Sequence, residues 1–248
     1  MSLGNGLTLV PKTITLESER RRYKINVTYP QIEGSNRPEF MNLNRHIRNL
    51  VAKQYAWPLI PPTKDDLRHY EKWPGVYNSV DLDYFVIQAT DNFLSIYLEF
   101  YSYGIGAAHS VQESFTINFD MKTKRLINLE SLFRPGTRPL RFISNYCIDK
   151  LSKDHPWSMN DRWFRGQVAP ARKNFASWNI LSDGIRFNFD ACKIDGCAAG
   201  KVEVVIPFAE LEPVIRSQFA SARGAHNKSL DASGGSVFRI MTGPAMVK

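Results

Sequence analysis

The chain has 248 residues, 43% of them hydrophobic and 23% charged, the balance of a globular protein and not of a disordered one. Lys and Arg number 32 against 24 Asp and Glu, a net charge of +8, which permits nucleic acid, anionic lipid or an acidic envelope polymer as partner without choosing among them. No apolar run approaches the ~18–20 residues of a membrane helix, and Met1 to Gly6 reads as an added start joined to a mature chain, so the missing leader does not argue for the cytoplasm.

Such a length suits one large domain or two small ones. In chain order, Ile14 and Leu16 alternate with polar residues, and Tyr23, Ile25, Val27 and Tyr29 do so again. This period of two predicts a hairpin turning through Glu17 to Arg22. The triplet Arg20-Arg21-Arg22 is read as a solvated turn. Phe40, Leu43, Ile47, Leu50, Val51 and Tyr55 then form one helical stripe over about residues 39–55, stopped by Trp57-Pro58 and Pro61-Pro62. Residues 57–76 are charged and Pro-rich, the composition of an irregular loop.

The strongest strand pattern follows. Residues 80–88, 93–103 and 111–119 predict a three-stranded meander. Leu94, Ile96, Leu98 and Phe100 take one face of its middle strand, with Ser95, Tyr97, Glu99 and Tyr101 on the other. The helix at residue 39 is expected on the apolar face. Leu140, Ile143, Cys147 and Leu151 mark a second helix over about 138–152. Residues 153–172, with Trp157, Trp163 and Phe164, carry no assignable period. A hairpin at 175–189 and a strand at Val202, Val204 and Ile206 close the pattern, and residues 220–236 are rich in Ala, Ser and Gly. The expected class is α+β, with antiparallel sheets and packed helices.

No strong catalytic, phosphate-binding or metal motif is present. Gly104 and Gly106, in Tyr103-Gly-Ile-Gly-Ala-Ala-His109, either let backbone approach a ligand beside an acid–base His109 or merely supply turn angles. Asp81, Asp83 and Glu99 share a sheet face, as a carboxylate site or a solvated surface. Cys147 lies on an apolar helical stripe and reads as a structural thiol. Cys192 and Cys197 bracket a loop; bridged, they would close a ring worth about 2 kcal/mol in the chain-entropy model, and reduced they suit the cytosol.

The order of these pieces carries a resemblance. Tyr23 to Gln31 with Asn42-Leu43-Asn44 resembles the start of the extracytoplasmic domain of unknown function 4163. Tyr101 to His109, Asn118-Phe119-Asp120 with Lys122-Thr123, Leu129 to Phe133, Asp183 to Phe189 and Val204 to Leu211 resemble domain of unknown function 3298. The likeness covers about residues 12–215. It implies a division into residues 1–105 and 106–219, followed by a linker-like tail over 220–248. The pair is similar to the outer part of the anti-sigma factor RsiV, which binds lysozyme, and to the non-catalytic region of the deacetylase PdaC. It implies a periplasmic or secreted module that binds and does not catalyse, with a protein or glycan ligand and no cofactor or metal. It also implies a Cys192–Cys197 bridge with Cys147 free. The segment Ala191 to Gly200 departs from the family's Tyr- and Pro-containing loop, which puts lysozyme recognition in doubt.

The ligand-binding candidates are therefore Tyr97, Tyr101, Tyr103 and His109. The tyrosines lie either on an exposed sheet face, where a large ring with a polar tip suits recognition, or under a helix from the second half that covers them. Two rivals stay open: an enzyme centred on His109 with nearby carboxylates, and a nucleic-acid binder working through the basic surface, the latter not favoured.

Overall fold

A computed structural model describes residues 1–154 and 162–220. Trp157 and the 221–248 tail lie outside them. The described chain is α+β. It opens with β1 (Ser2–Gly4), β2 (Leu7–Ser18) and β3 (Tyr23–Glu33), which pair antiparallel. In the β2–β3 turn Arg22 takes a positive φ of 56° and donates to the carbonyls of Trp73 and Val76. One member of the arginine triplet is thus a strut and not a solvated charge.

α1 (Pro38–Tyr55) buries Phe40, Leu43, Ile47 and Val51, the stripe its spacing predicts. Asn44 on this helix locks the end of β3: its Oδ1 accepts from Ile32 N and its Nδ2 donates to Ile32 O, both at 2.8 Å. The 57–76 stretch is more regular than expected. It holds a 3-10 turn (Trp57–Leu59) and α2 (Lys64–Tyr70). α2 buries none of its residues and so has no apolar period to detect. What starts it is a capping box, in which Thr63 Oγ1 accepts from Asp66 N and the Asp66 carboxylate accepts from Thr63 N.

The chain then forms β4 (Asn78–Ala89), β5 (Phe93–Tyr103), β6 (Val111–Asp120) and β7 (Arg125–Leu126). Strands β1 to β7 lie in sequential order in one sheet. All neighbours are antiparallel except β3 and β4, which run parallel because α1 and α2 carry the chain back between them. Leu94, Ile96, Leu98 and Phe100 enter one core with the α1 stripe and with Ile25 and Val27.

Beyond β7 come a 3-10 turn (Leu129–Leu132), α3 (Pro139–Asp154), α4 (Arg162–Gln167), β8 (Trp178–Ile180), β9 (Gly184–Phe189), β10 (Val202–Pro207), α5 (Phe208–Leu211) and α6 (Ser217–Ala220). Strands β8 to β10 form a small antiparallel sheet. Its Trp178, Phe187, Phe189, Val204 and Ile206 build a second core with Ile143, Cys147 and Leu151 of α3. The expected division at residue 105 falls between β5 and β6, which pair along their length. The first core ends near residue 121 and the second begins near residue 127, Phe93 excepted.

Candidate functional site

The functional candidates concentrate on the face of the meander turned away from α1. Register sets them in rows across β4, β5 and β6: Gln88–Ser95–Asn118, Phe85–Tyr97–Thr116, Asp83–Glu99–Ser114 and Asp81–Tyr101–Gln112. Residues in one row share a face.

The β5–β6 side of the first two rows is covered by β8, whose unpaired edge is satisfied by side chains, and the third row meets Ser177, Asp190 and Lys201. Thr116 Oγ1 accepts from Trp178 N, Asn118 Oδ1 accepts from Ile180 N, and Asn118 Nδ2 donates to Trp178 O. A free edge buried without such partners would be costly. Asn179, fully buried, donates to Ser95 Oγ and Ile96 O and accepts from Arg186 Nη2 and Asn188 Nδ2. Ser114 Oγ donates to Asp190 Oδ1 at 2.5 Å, and Lys193 Nζ holds the other carboxylate oxygen at 2.7 Å.

Tyr97 belongs to this covered seam. It is only 2% exposed, with the Arg186 guanidinium 5.6 Å and the Lys201 ammonium 4.8 Å from its ring centre. The exposed alternative is corrected here: β8 and the β9–β10 side chains close over it. Burial, reinforced by the charge of Glu99, pushes its phenol well above the ordinary tyrosine range.

Tyr101 lies one row beyond the cover and is 40% exposed. Burial first, then Glu99, pushes its phenol up to about 12. Gln112 Nε2 donates to both Glu99 Oε1 (2.8 Å) and the Tyr101 hydroxyl (3.0 Å). Lys201 bridges Glu99 and Glu203 at 3.8 and 3.5 Å. Tyr103 is half-buried at the end of β5.

The Tyr101 row continues across the sheet. Gln112, Tyr101, Asp81, Asn26 and Thr15 occupy matched positions on five successive strands, β6 to β2. Asn26 Nδ2 donates to Asp81 Oδ1 at 3.3 Å. At ~4.8 Å per strand this open ladder spans roughly 19 Å. Phe85, 47% exposed, stands two rows from Tyr101 on the adjacent strand, roughly 13 Å along the strand direction. The ladder is not visible in the sequence because its members come from five separate strands; only the register joins them.

His109 does not join this surface chemically. It is exposed, and its Nδ1 lies 3.0 Å from the carbonyl of Ser110. The glycine loop instead seats α2. Gly106 has a φ of +85°, and a Cβ there would lie 2.5 Å from His69 Nε2. That imidazole meets Ile105 O at 3.2 Å, while Ile105 N donates to Asn78 Oδ1. Asp81 and Asp83 are exposed members of a solvated face. Cys192 and Cys197 are bonded to each other between β9 and β10. Cys147 is a buried free thiol, pushed up to about 12 by that burial. Among the described residues no group of three His, Cys, Asp or Glu side chains could hold a metal ion, and no helix is long and apolar enough to cross a membrane.

Two family models match the chain: Deacetylase PdaC over residues 16–112, and Protein of unknown function (DUF3298) over residues 130–209. Residues 16–112 thus resemble the PdaC family and residues 130–209 the DUF3298 family. A curated relative, the peptidoglycan-N-acetylmuramic acid deacetylase PdaC of Bacillus subtilis, is 24% identical over 215 residues. The match takes in 86% of this chain and 44% of that protein, so the chain spans less than half of its relative. A DUF3298 family protein from Pseudomonas aeruginosa PAO1 shares the fold with a TM-score of 0.61 at 16% identity, covering 88% of this chain and 98% of that one. A DUF3298 member from Bacteroides fragilis NCTC 9343 gives 0.59 at 18% identity, covering 88% and 96%. From Asn26 to Gln112 the ladder lies inside the PdaC-family segment, whereas the small sheet and the disulfide lie inside the DUF3298 segment.

Proposed function

We propose that this chain is a non-enzymatic binding module of the bacterial cell envelope, holding a peptidoglycan-type glycan on the open ladder. The carrying observation is the row Thr15–Asn26–Asp81–Tyr101–Gln112, which offers carboxylate, amide and hydroxyl groups beside an exposed aromatic ring. Sugars need this combination: a ring face to stack on, with donors and acceptors for hydroxyl and acetamido groups. Charges on this face are mixed in sign, with Lys24 paired to Glu17 beside Asp81 and Asp83. That favours a largely neutral glycan over nucleic acid, which calls for a one-sign basic surface. The deacetylase relative is named for a peptidoglycan sugar, and the PdaC family model covers the ladder from Asn26 to Gln112. An extracytoplasmic setting follows from this reading, and a bridged Cys192–Cys197 pair suits it.

The test is co-sedimentation with purified peptidoglycan. Tyr101→Ala should weaken retention at least about fivefold, the loss of roughly 1 kcal/mol of contact. Asp81→Ala should weaken it in the same direction, with the melting temperature of both variants near that of the parent. Parent-like retention by Tyr101→Ala would end the glycan-ladder reading.

A further inference from the structure

A second constellation lies in the DUF3298 half, away from the ladder. Arg138, Arg141 and Arg172 line one groove of about 330 Å³ together with Leu140, Pro170 and Glu130. That volume is at the lower end of ligand pockets. Glu130 supplies its single carboxylate and is engaged by Arg172. Arg138 and Arg141 have no side-chain partner among the described residues.

This arrangement opposes local stability. Arg138 immediately precedes α3 and Arg141 lies in its first turn, so two like charges are set three residues apart on the same groove. They also sit at the positive end of the helix, where no acidic residue occupies the first turn. Among the described residues neither Arg138 nor Arg141 has a carboxylate partner, and a ligand carboxylate would supply one. The floor narrows the choice, because Pro139, Leu140 and Pro170 line the groove together with the arginines and add apolar surface to it. A bare phosphate chain gains nothing from that floor. A peptide with an apolar side chain next to carboxylates matches both parts, since guanidinium groups grip carboxylates with paired hydrogen bonds.

We infer that this groove binds an acidic peptide segment, with an apolar side chain on Leu140 and Pro170 and its carboxylates on Arg138 and Arg141. The inference stands apart from the glycan ladder. The probe is a fluorescent N-acetylated peptide of alternating Leu and Glu, titrated with the full chain and followed by anisotropy. Two controls accompany it: the Leu/Gln peptide and a glycerol-phosphate polymer.

Binding should fall at least tenfold for the Leu/Gln peptide and for the Arg138→Gln/Arg141→Gln variant. It should weaken with added salt and stay unchanged in Tyr101→Ala. The double variant should melt at or above the parent temperature, since it removes an unrelieved repulsion. No binding by the parent, or equal binding by the double variant, would overturn the assignment. So would tighter binding of the glycerol-phosphate polymer, which would make the groove a polyanion site.

Discussion

Asn179 makes four hydrogen bonds from a fully buried position, and replacing it with Ala measures the seam between the two sheets. The two donations go to Ser95 Oγ at 2.9 Å and Ile96 O at 3.2 Å, and the two acceptances come from Arg186 Nη2 and Asn188 Nδ2, each at 3.2 Å. Ser95 Oγ keeps its bond to Asn118, so its loss is small. Asn188 has no such reserve, its Oδ1 being already buried without a partner, and Arg186 keeps only its 3.4 Å contact with Glu203 while its Nε is buried without a partner. Each donor left facing the gap costs about 1–3 kcal/mol. The expected destabilisation is therefore about 3–5 kcal/mol, well beyond the typical substitution. In urea unfolding followed by far-UV circular dichroism this is a midpoint lower by about 1–2 M. Asp81→Asn, on the open ladder, should move the midpoint by no more than about 0.5 kcal/mol equivalent. A loss below about 1 kcal/mol for Asn179→Ala would refute the reasoning, since the stranded donors would then have found other partners.

Gly106→Ala should destabilise by about 1–3 kcal/mol, combining strain at positive φ with displacement of His69 from Ile105 O; limited proteolysis should then cut within residues 57–76 sooner than in the parent. The tyrosines give the chain an alkaline limit. Tyr97 and Tyr101 both hold their protons more tightly folded than unfolded, so their contribution is complete below the unfolded tyrosine value near pH 10 and is lost as pH rises through the folded values. The urea midpoint should fall between pH 10 and 12, and fall less steeply in Tyr97→Phe/Tyr101→Phe; identical slopes would assign the loss to other groups.

What the sequence revealed, and what it hid, follows from how far each signal reaches along the chain. The alternation in residues 93–103 assigns every β5 side chain to its correct face, because a period of two is local. It cannot say what covers that face. The cover over Tyr97 comes from β8, three residues long and some 80 positions away. Its sequence, Trp178-Asn179-Ile180, is too short to show a period. α1 was legible because it buries a stripe; α2 was not, because it is held by capping and by the glycine loop. The Gly104–Gly106 segment stood out correctly as unusual, yet its purpose is to admit His69, a residue with no distinguishing context of its own.

The same alternation thus serves two ends on a single sheet face. In the rows of Ser95 and Tyr97, Asn118 and Thr116 meet the backbone of a bare strand edge, and in the Glu99 row Ser114 bonds to Ser177 and Asp190, so these side chains are spent in holding the second sheet. One row further, β8 has ended and Asp81, Tyr101 and Gln112 have no backbone to satisfy. Gln112 donates to the Tyr101 hydroxyl and Asn26 to Asp81, while Tyr101 stays 40% exposed. A polar side chain on this face is structural where the second sheet passes over it. On the proposed reading the binding surface begins where that cover ends, which sets Tyr97, 2% exposed, and Tyr101, 40% exposed, on opposite sides of its border although they lie four residues apart.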